Sequence, residues 1–88
     1  MKLKYQFVIR EIMGEYAIIP SAEGALAMSG MVVTNAVGAC LWSALLEHTT
    51  REALVERLLG EFEVDRPTAE ADVDEFLTEL EKLELLIE

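Results

Sequence analysis

The apolar residues of this chain change period near Asn35, and that change restricts the fold more than any other feature. Before it, Tyr5, Phe7 and Ile9 fall on one alternation and Val8, Arg10 and Ile12 on the other, the period-two pattern of strands. Beyond it, Val73, Phe76, Leu77, Leu80 and Leu83 recur at i, i+3, i+4, i+7 and i+10, which aligns them along one stripe of a helix with acids on the other side. Strands first and helices afterwards predict an α+β fold, a small antiparallel sheet packed on a helical cluster.

Local signals place the elements. Residues 5–20 read as a hairpin that turns at Met13-Gly14-Glu15, because Gly14 can take the positive φ of a tight turn. Tyr16 to Ile19 return as the second strand, and Pro20 ends it by lacking a ladder donor. Residues 21–30 hold two glycines and small side chains and read as a loop with at most one extended piece. Met31 to Thr34 is a short β-prone run that finishes the sheet at its edge. Asn35 caps a first helix over Ala36 to Leu46. Thr49 and Glu52 form a capping box for a second helix, with Leu54, Leu58 and Leu59 as its buried stripe and Gly60 as its stop. Asp65-Arg66-Pro67 opens a third, and Leu85-Leu86-Ile87 closes the chain as a hydrophobic end. The expected architecture is winged helix-turn-helix-like, a three-stranded antiparallel sheet packed on three helices.

With 88 residues, 52% of them hydrophobic, the chain can build one modest core, so residues 1–88 are read as a single domain. No run approaches the ~18 apolar residues that span a bilayer, and the Met-Lys-Leu-Lys start lacks the apolar core of a signal peptide. The expectation is a cytoplasmic protein with no membrane partner. Cys40 is the sole cysteine; it has no internal disulfide partner and, beside Leu41 and Trp42, reads as a buried core residue.

Charge and motif content exclude several functions. The formal charge is -10, which repels phosphate backbones, so no nucleic-acid partner is expected. Residues 65–88 carry nine acids against Arg66 and Lys82. That segment favours a basic or neutral partner, although most of its acids are expected to solvate the outer face of a helix. His48 is the only histidine, so neither a Cys/His metal cage nor a histidine-centred triad can form, and it reads as a helix-terminal residue. Asp72, Asp74 and Glu75 lie in a helical repeat without the glycine-containing loop that wraps a cation. Gly14, Gly24, Gly30, Gly38 and Gly60 form neither G-x-G-x-x-G nor a P-loop. Ser21, Ser29 and Ser43 have no general base at motif spacing, and the absence of Asp-Ser-Leu sets the chain apart from acyl-carrier proteins. No cofactor, metal or catalytic residue is expected, and an enzyme is disfavoured.

Three ordered segments carry a family resemblance. Phe7-Val8-Ile9-Arg10-Glu11, Ala17-Ile18-Ile19-Pro20 and Val33 to Trp42 resemble the pyrroloquinoline-quinone synthesis protein D (PqqD) family, in which two short strands precede Leu-Asn-x-Thr-(Ala/Gly) and the first helix. Leu54, Leu58, Phe62, Val64, Asp72-Val73, Phe76-Leu77, Leu80 and Leu85-Leu86 are similar to its second and third helices, including Asp-Val-x-x-Phe-Leu. Thr34 stands where that family often has Leu, and Glu84 where it often has Gly. Both departures fit a divergent relative serving another modified-peptide pathway. The resemblance implies a winged-helix peptide-recognition element that binds the leader segment of a ribosomally made precursor peptide and presents it to a modifying enzyme, often a radical S-adenosylmethionine enzyme.

A site for that task can be placed from the residues. An edge strand with free N–H and C=O groups accepts another strand, and side-chain pockets add specificity. Met31, Val32, Val33 and Thr34 would offer the edge. Val73, Phe76, Leu80 and Leu83 would wall a groove beside it, with core packing the competing role, above all for Phe76 and Leu80. Asp72, Glu75 and Glu79 would meet basic residues of the leader at the rim. Met28 and Met31 suit either an adaptable groove or core filling. Two rival readings remain at this point. One is a docking or homodimerisation module that pairs the same edge with another protein or a second copy. The other is a winged-helix DNA-binding protein, disfavoured because segment 49–61 sets Arg51 and Arg57 against Glu52, Glu56 and Glu61.

Overall fold

In a computed structural model, which describes residues 1–28 and 30–87, the elements run β1 (Lys2–Leu3), β2 (Phe7–Ile12), β3 (Glu15–Pro20), α1 (Ala22–Met28), β4 (Val32–Thr34), α2 (Ala36–Ala44), α3 (Arg51–Glu61), α4 (Arg66–Lys82) and β5 (Leu86–Ile87). β2, β3 and β4 form an antiparallel sheet in that order. The hairpin closes on two residues, since Ile12 pairs with Glu15, and both Met13 and Gly14 have positive φ. That is the primed geometry whose twist suits a hairpin. Glu15 is therefore a strand residue rather than part of the turn.

Alternation sorts the sheet into two faces. Phe7 and Ile18 are buried against the helices, with Ile9 and Val32 partly so, whereas Val8, Ile12 and Val33 are exposed. The helices supply Leu41, Trp42, Leu45, Leu54, Val55, Leu58, Val73, Leu77 and Leu80 to the same core. Trp42 ties the layers together, meeting Phe7 of β2 and Phe76 of α4 edge-on, with ring centroids 5.5 and 5.7 Å apart; this is the arrangement the ring quadrupoles favour.

Five further element assignments depart from the sequence reading. Residues 22–28 form α1 instead of a loop: Ala22, Ala25 and Leu26 are strong helix formers, the Ser21 hydroxyl accepts the Gly24 N–H at 3.3 Å, and one internal glycine costs only ~1 kcal/mol. Ser29 and the side chain of Met28 lie outside the described residues. Lys2–Leu3 and Leu86–Ile87 pair as a second, two-stranded sheet, so the hydrophobic end is a strand. The cap of α3 is Thr50, whose side chain accepts the Ala53 N–H at 3.1 Å. Thr49 is already engaged, since its N–H and C=O bond the Met1 carbonyl and amino group, each at 2.8 Å. α3 runs past Gly60 to Glu61 because Arg57 holds Glu61 across the last turn at 3.1 Å. α2 stops at Ala44, and the N–H of Leu45 caps it by bonding the Leu41 and Trp42 carbonyls; Leu46 is exposed.

The end of α4 fixes the last turn. The Leu85 N–H bonds the Leu80 carbonyl and the Glu84 N–H bonds the Glu81 carbonyl, both at 3.0 Å. This is the paired closure of a Schellman cap, with Leu85 and Leu80 as its buried hydrophobic contact. Glu84 occupies the left-handed position at φ 56, where glycine is the unstrained residue. Among the described residues no helix is long and apolar enough to cross a membrane.

Candidate peptide-binding groove

β4 is held to the sheet on one side only, by the pairs Tyr16 with Thr34, Ala17 with Val33 and Ile18 with Val32. Its other side is an open edge, as the sequence reading expects, although the strand is three residues long and Met31 precedes it. Met31 is exposed and does not line the cleft beside the strand. Successive residues alternate sides: Val32 and Thr34 turn toward that cleft, whereas the side chain of Val33, 56% exposed, points to the opposite face. Val33 can thus offer the edge its main chain but not a groove wall.

The cleft lies between β4 with the start of α2 on one side and α4 on the other, and has a volume of about 450 Å³, within the usual range for a ligand site. Val32, Thr34, Asn35, Val37 and Gly38 form the first wall; Leu41, Trp42 and Leu80 lie at the floor; Asp72, Glu75, Phe76, Glu79 and Leu83 complete the far side. Leu80 keeps only 2% exposure, so it is chiefly a core residue that shows its edge to the cleft. Phe76 is partly buried and packs on Trp42. Leu83 is 51% exposed and sits at the cap of α4, past its last helical turn.

One proposed wall residue is corrected. Val73 has 0% exposure and lies wholly within the core: it is one position from Asp72, and a ~100° turn of the helix carries its side chain away from the cleft. Conversely, the sequence reading assigned the groove no residue from the start of α2. Asn35, Val37, Gly38, Leu41 and Trp42 are there because the Asn35 carboxamide accepts the Gly38 N–H at 2.8 Å. That cap starts α2 directly after β4 and folds its first turn back over the strand. The cap was legible; the consequence that it makes α2 a groove wall was not.

Acids at the cleft differ from those elsewhere on α4. Asp74 receives a forked pair from Arg51 of α3, at 2.6 and 3.0 Å, and the Arg51 hydrogen bond pulls its carboxyl below the ordinary value. Arg66 meets Glu52 at 3.2 Å, Glu56, and Glu70 at 3.8 Å. Among the described residues, Asp72 and Glu75 have no ion pair, and Glu79 has only Lys82 at 3.6 Å, both side chains being largely exposed. The rim of the groove is thus a negative strip with little compensation, Lys82 being the one cation paired to it among the described residues.

Other polar candidates lie away from it. Cys40 is half-buried rather than fully buried, and its Sγ donates to Glu61 Oε2 at 3.0 Å. Burial first, then the Glu61 carboxylate, push its thiol up to about 11, which keeps it protonated at neutral pH and slow as a nucleophile. His48 is exposed in the α2–α3 connection; α2 ends four residues earlier, too far for the dipole contact expected of it. Arg51 and Arg57, the cations a nucleic-acid reading would draw on, both sit in ion pairs.

Comparison with known proteins places the chain. The sequence profile of coenzyme PQQ synthesis protein D (PqqD) matches residues 15–86. A solved structure of TbiB1 in complex with the TbiA(beta) leader peptide is 34% identical, with a TM-score of 0.69 over 98% of this chain and 94% of that one. A lasso peptide synthetase B1 complexed with the leader peptide shares the fold at 17% identity, with a TM-score of 0.66 over the full length of both chains. No curated protein matches significantly. The winged helix-like α+β fold, the profile spanning β3 to β5 and a relative alike over nearly its whole length lead to one conclusion: the chain belongs to the coenzyme PQQ synthesis protein D family.

Proposed function

We propose that the chain is a non-catalytic adaptor that binds the leader segment of a ribosomally made precursor peptide and presents it to a modifying enzyme. The observation that carries this reading is the coincidence of a free strand edge, an apolar cleft beside it and a row of acids along the cleft's rim, two of the three without an ion pair among the described residues. The edge of β4 supplies main-chain hydrogen bonds to an added strand. Alternate side chains of that strand enter the cleft against Phe76, Leu83 and the floor around Trp42, while basic residues meet Asp72, Glu75 and Glu79. Family membership supports the reading, as do the leader-peptide complexes formed by TbiB1 and the lasso peptide synthetase B1. The partner enzyme in this proposal is of the radical S-adenosylmethionine type or another peptide-modifying class, and both partners meet in the cytoplasm.

A two-dimensional amide titration of the labelled protein, with the leader of a short precursor encoded beside its gene, tests the proposal. Saturating shifts clustered on residues 31–34 and 70–83 are expected. Shifts that spread elsewhere, or none at high peptide excess together with a stable dimer in light scattering, would transfer the edge of β4 to self-association or enzyme docking.

A further inference from the structure

Gly38 stands in the first turn of α2, facing Thr34 at the end of β4, and both residues line the groove. A Cβ at Gly38 would lie 1.9 Å from Thr34 Oγ1, 3.1 Å from Thr34 Cβ and 3.2 Å from Thr34 Cγ2. The first distance is impossible and the other two are tight. Turning Thr34 about χ1 gives little relief, because two of the three rotamers of a β-branched side chain place a γ atom at the first position and the third still leaves one at the tight second position. A methyl group at position 38 would therefore push strand and helix apart.

The strain would fall on β4. α2 is anchored by the Asn35 cap and by Leu41 and Trp42 in the core, whereas β4 is held by three residue pairs along one side. Strand addition tolerates little displacement, since N–H···O bonds are made between about 2.7 and 3.2 Å. We infer that Gly38 is a positioning residue: its missing Cβ lets β4 lie against α2, and so sets the width of the groove and the location of the edge with which the leader pairs. The functional half of this inference rests on the leader-binding reading; the structural half does not.

The test is a cycle on the full chain with the variants Gly38→Ala, Thr34→Ala and both together, read by titration with the TbiA(beta) leader peptide and by amide spectra of the free proteins. Gly38→Ala is expected to weaken binding about tenfold or more, and less than about threefold in the T34A background, where Oγ1 and Cγ2 are gone. In the free proteins, Gly38→Ala should displace the amide signals of Val32 to Thr34, and do so much less when Thr34→Ala is already present. Equal weakening in both backgrounds, or unchanged β4 signals, overturns the inference. If Gly38→Ala alone does not fold, recovery of the fold in the double variant supports it and failure to recover overturns it. If the unaltered protein does not bind this peptide, the leader reading fails for that peptide, and the amide comparison still decides whether Gly38 positions β4.

Discussion

The two long sides of α4 carry similar acids in different states. Toward α3, Asp74 is held by Arg51 and Glu70 lies near Arg66, which also reaches Glu52 and Glu56; charge there is spent in tying one helix to the next. Toward the groove, among the described residues, Asp72 and Glu75 have no ion pair and Glu79 has only Lys82 of its own helix, at 3.6 Å, beside apolar side chains that a folded core would ordinarily cover. Repulsion among neighbouring carboxylates on one helix face costs stability, so a sparsely paired row beside an apolar cleft is better suited to a ligand than to the fold. The net charge of the chain does not distinguish these sides; the distribution of arginines does.

The comparison breaks most visibly if the groove acids are reversed. The triple variant Asp72→Lys, Glu75→Lys, Glu79→Lys is expected to weaken binding of a basic leader by about 100-fold at low salt, and by much less at high salt, where exposed charges are screened. Its fold should persist, because these side chains hold no other element in place. Titrations at two ionic strengths check this. Equal affinity of variant and unaltered protein at low salt would mean that the rim plays no part in recognition and that the leader is held by its main chain and apolar residues alone.

How far the sequence reveals this site depends on the kind of interaction. The edge position of β4, the Asn35 cap, the start of α4 at Asp65-Arg66-Pro67 and its apolar stripe are all readable, since each follows from a short run of residues whose period or side-chain chemistry is local. Groove and core could not be separated so readily. Val73 and Phe76 belong to one apolar stripe, yet one is fully buried and the other partly open, because the boundary is drawn by where α2 and β4 stop covering α4. Thr49 and Thr50 are equally good caps by composition, and a hydrogen bond to a residue 48 positions away decides between them. α1 is hard to read because Gly24 and Gly30 punctuate a run of otherwise helix-forming residues.

A second prediction asks whether the acids of the groove matter by location or merely by number. Glu84 is an acid near the end of α4, at φ 56, and it does not line the groove. Glu84→Gly removes a negative charge and also relieves the left-handed backbone, for an expected gain of about 1 kcal/mol in unfolding free energy. Chemical denaturation reads the gain. Leader affinity should stay within about twofold of the unaltered protein's, since the charge lost is outside the rim. A loss of affinity as large as that from a single groove acid would show that bulk charge, not the strip, attracts the peptide.

The smallest expected effect lies on the other side of α4, and it is the control that gives the first two their meaning. Arg51→Ala should leave leader affinity unchanged and lower stability slightly, because both partners of this pair are largely exposed and water competes for them. Its signature is in the pH dependence. Arg51 holds the Asp74 carboxyl below its ordinary value of 3.8, so between the two values the unfolded chain binds more protons than the folded one. The contribution of the pair is then fully present above the ordinary value and is lost as pH falls through the depressed one. Unfolding curves for the unaltered protein and the Arg51→Ala variant should therefore differ at neutral pH and converge in acid. A gap that persists below the depressed value would mean that Arg51 acts through its packing on α4 rather than through the charge of Asp74. A change in leader affinity would mean that α3 and the groove are mechanically coupled through α4, and that its two sides do not work independently.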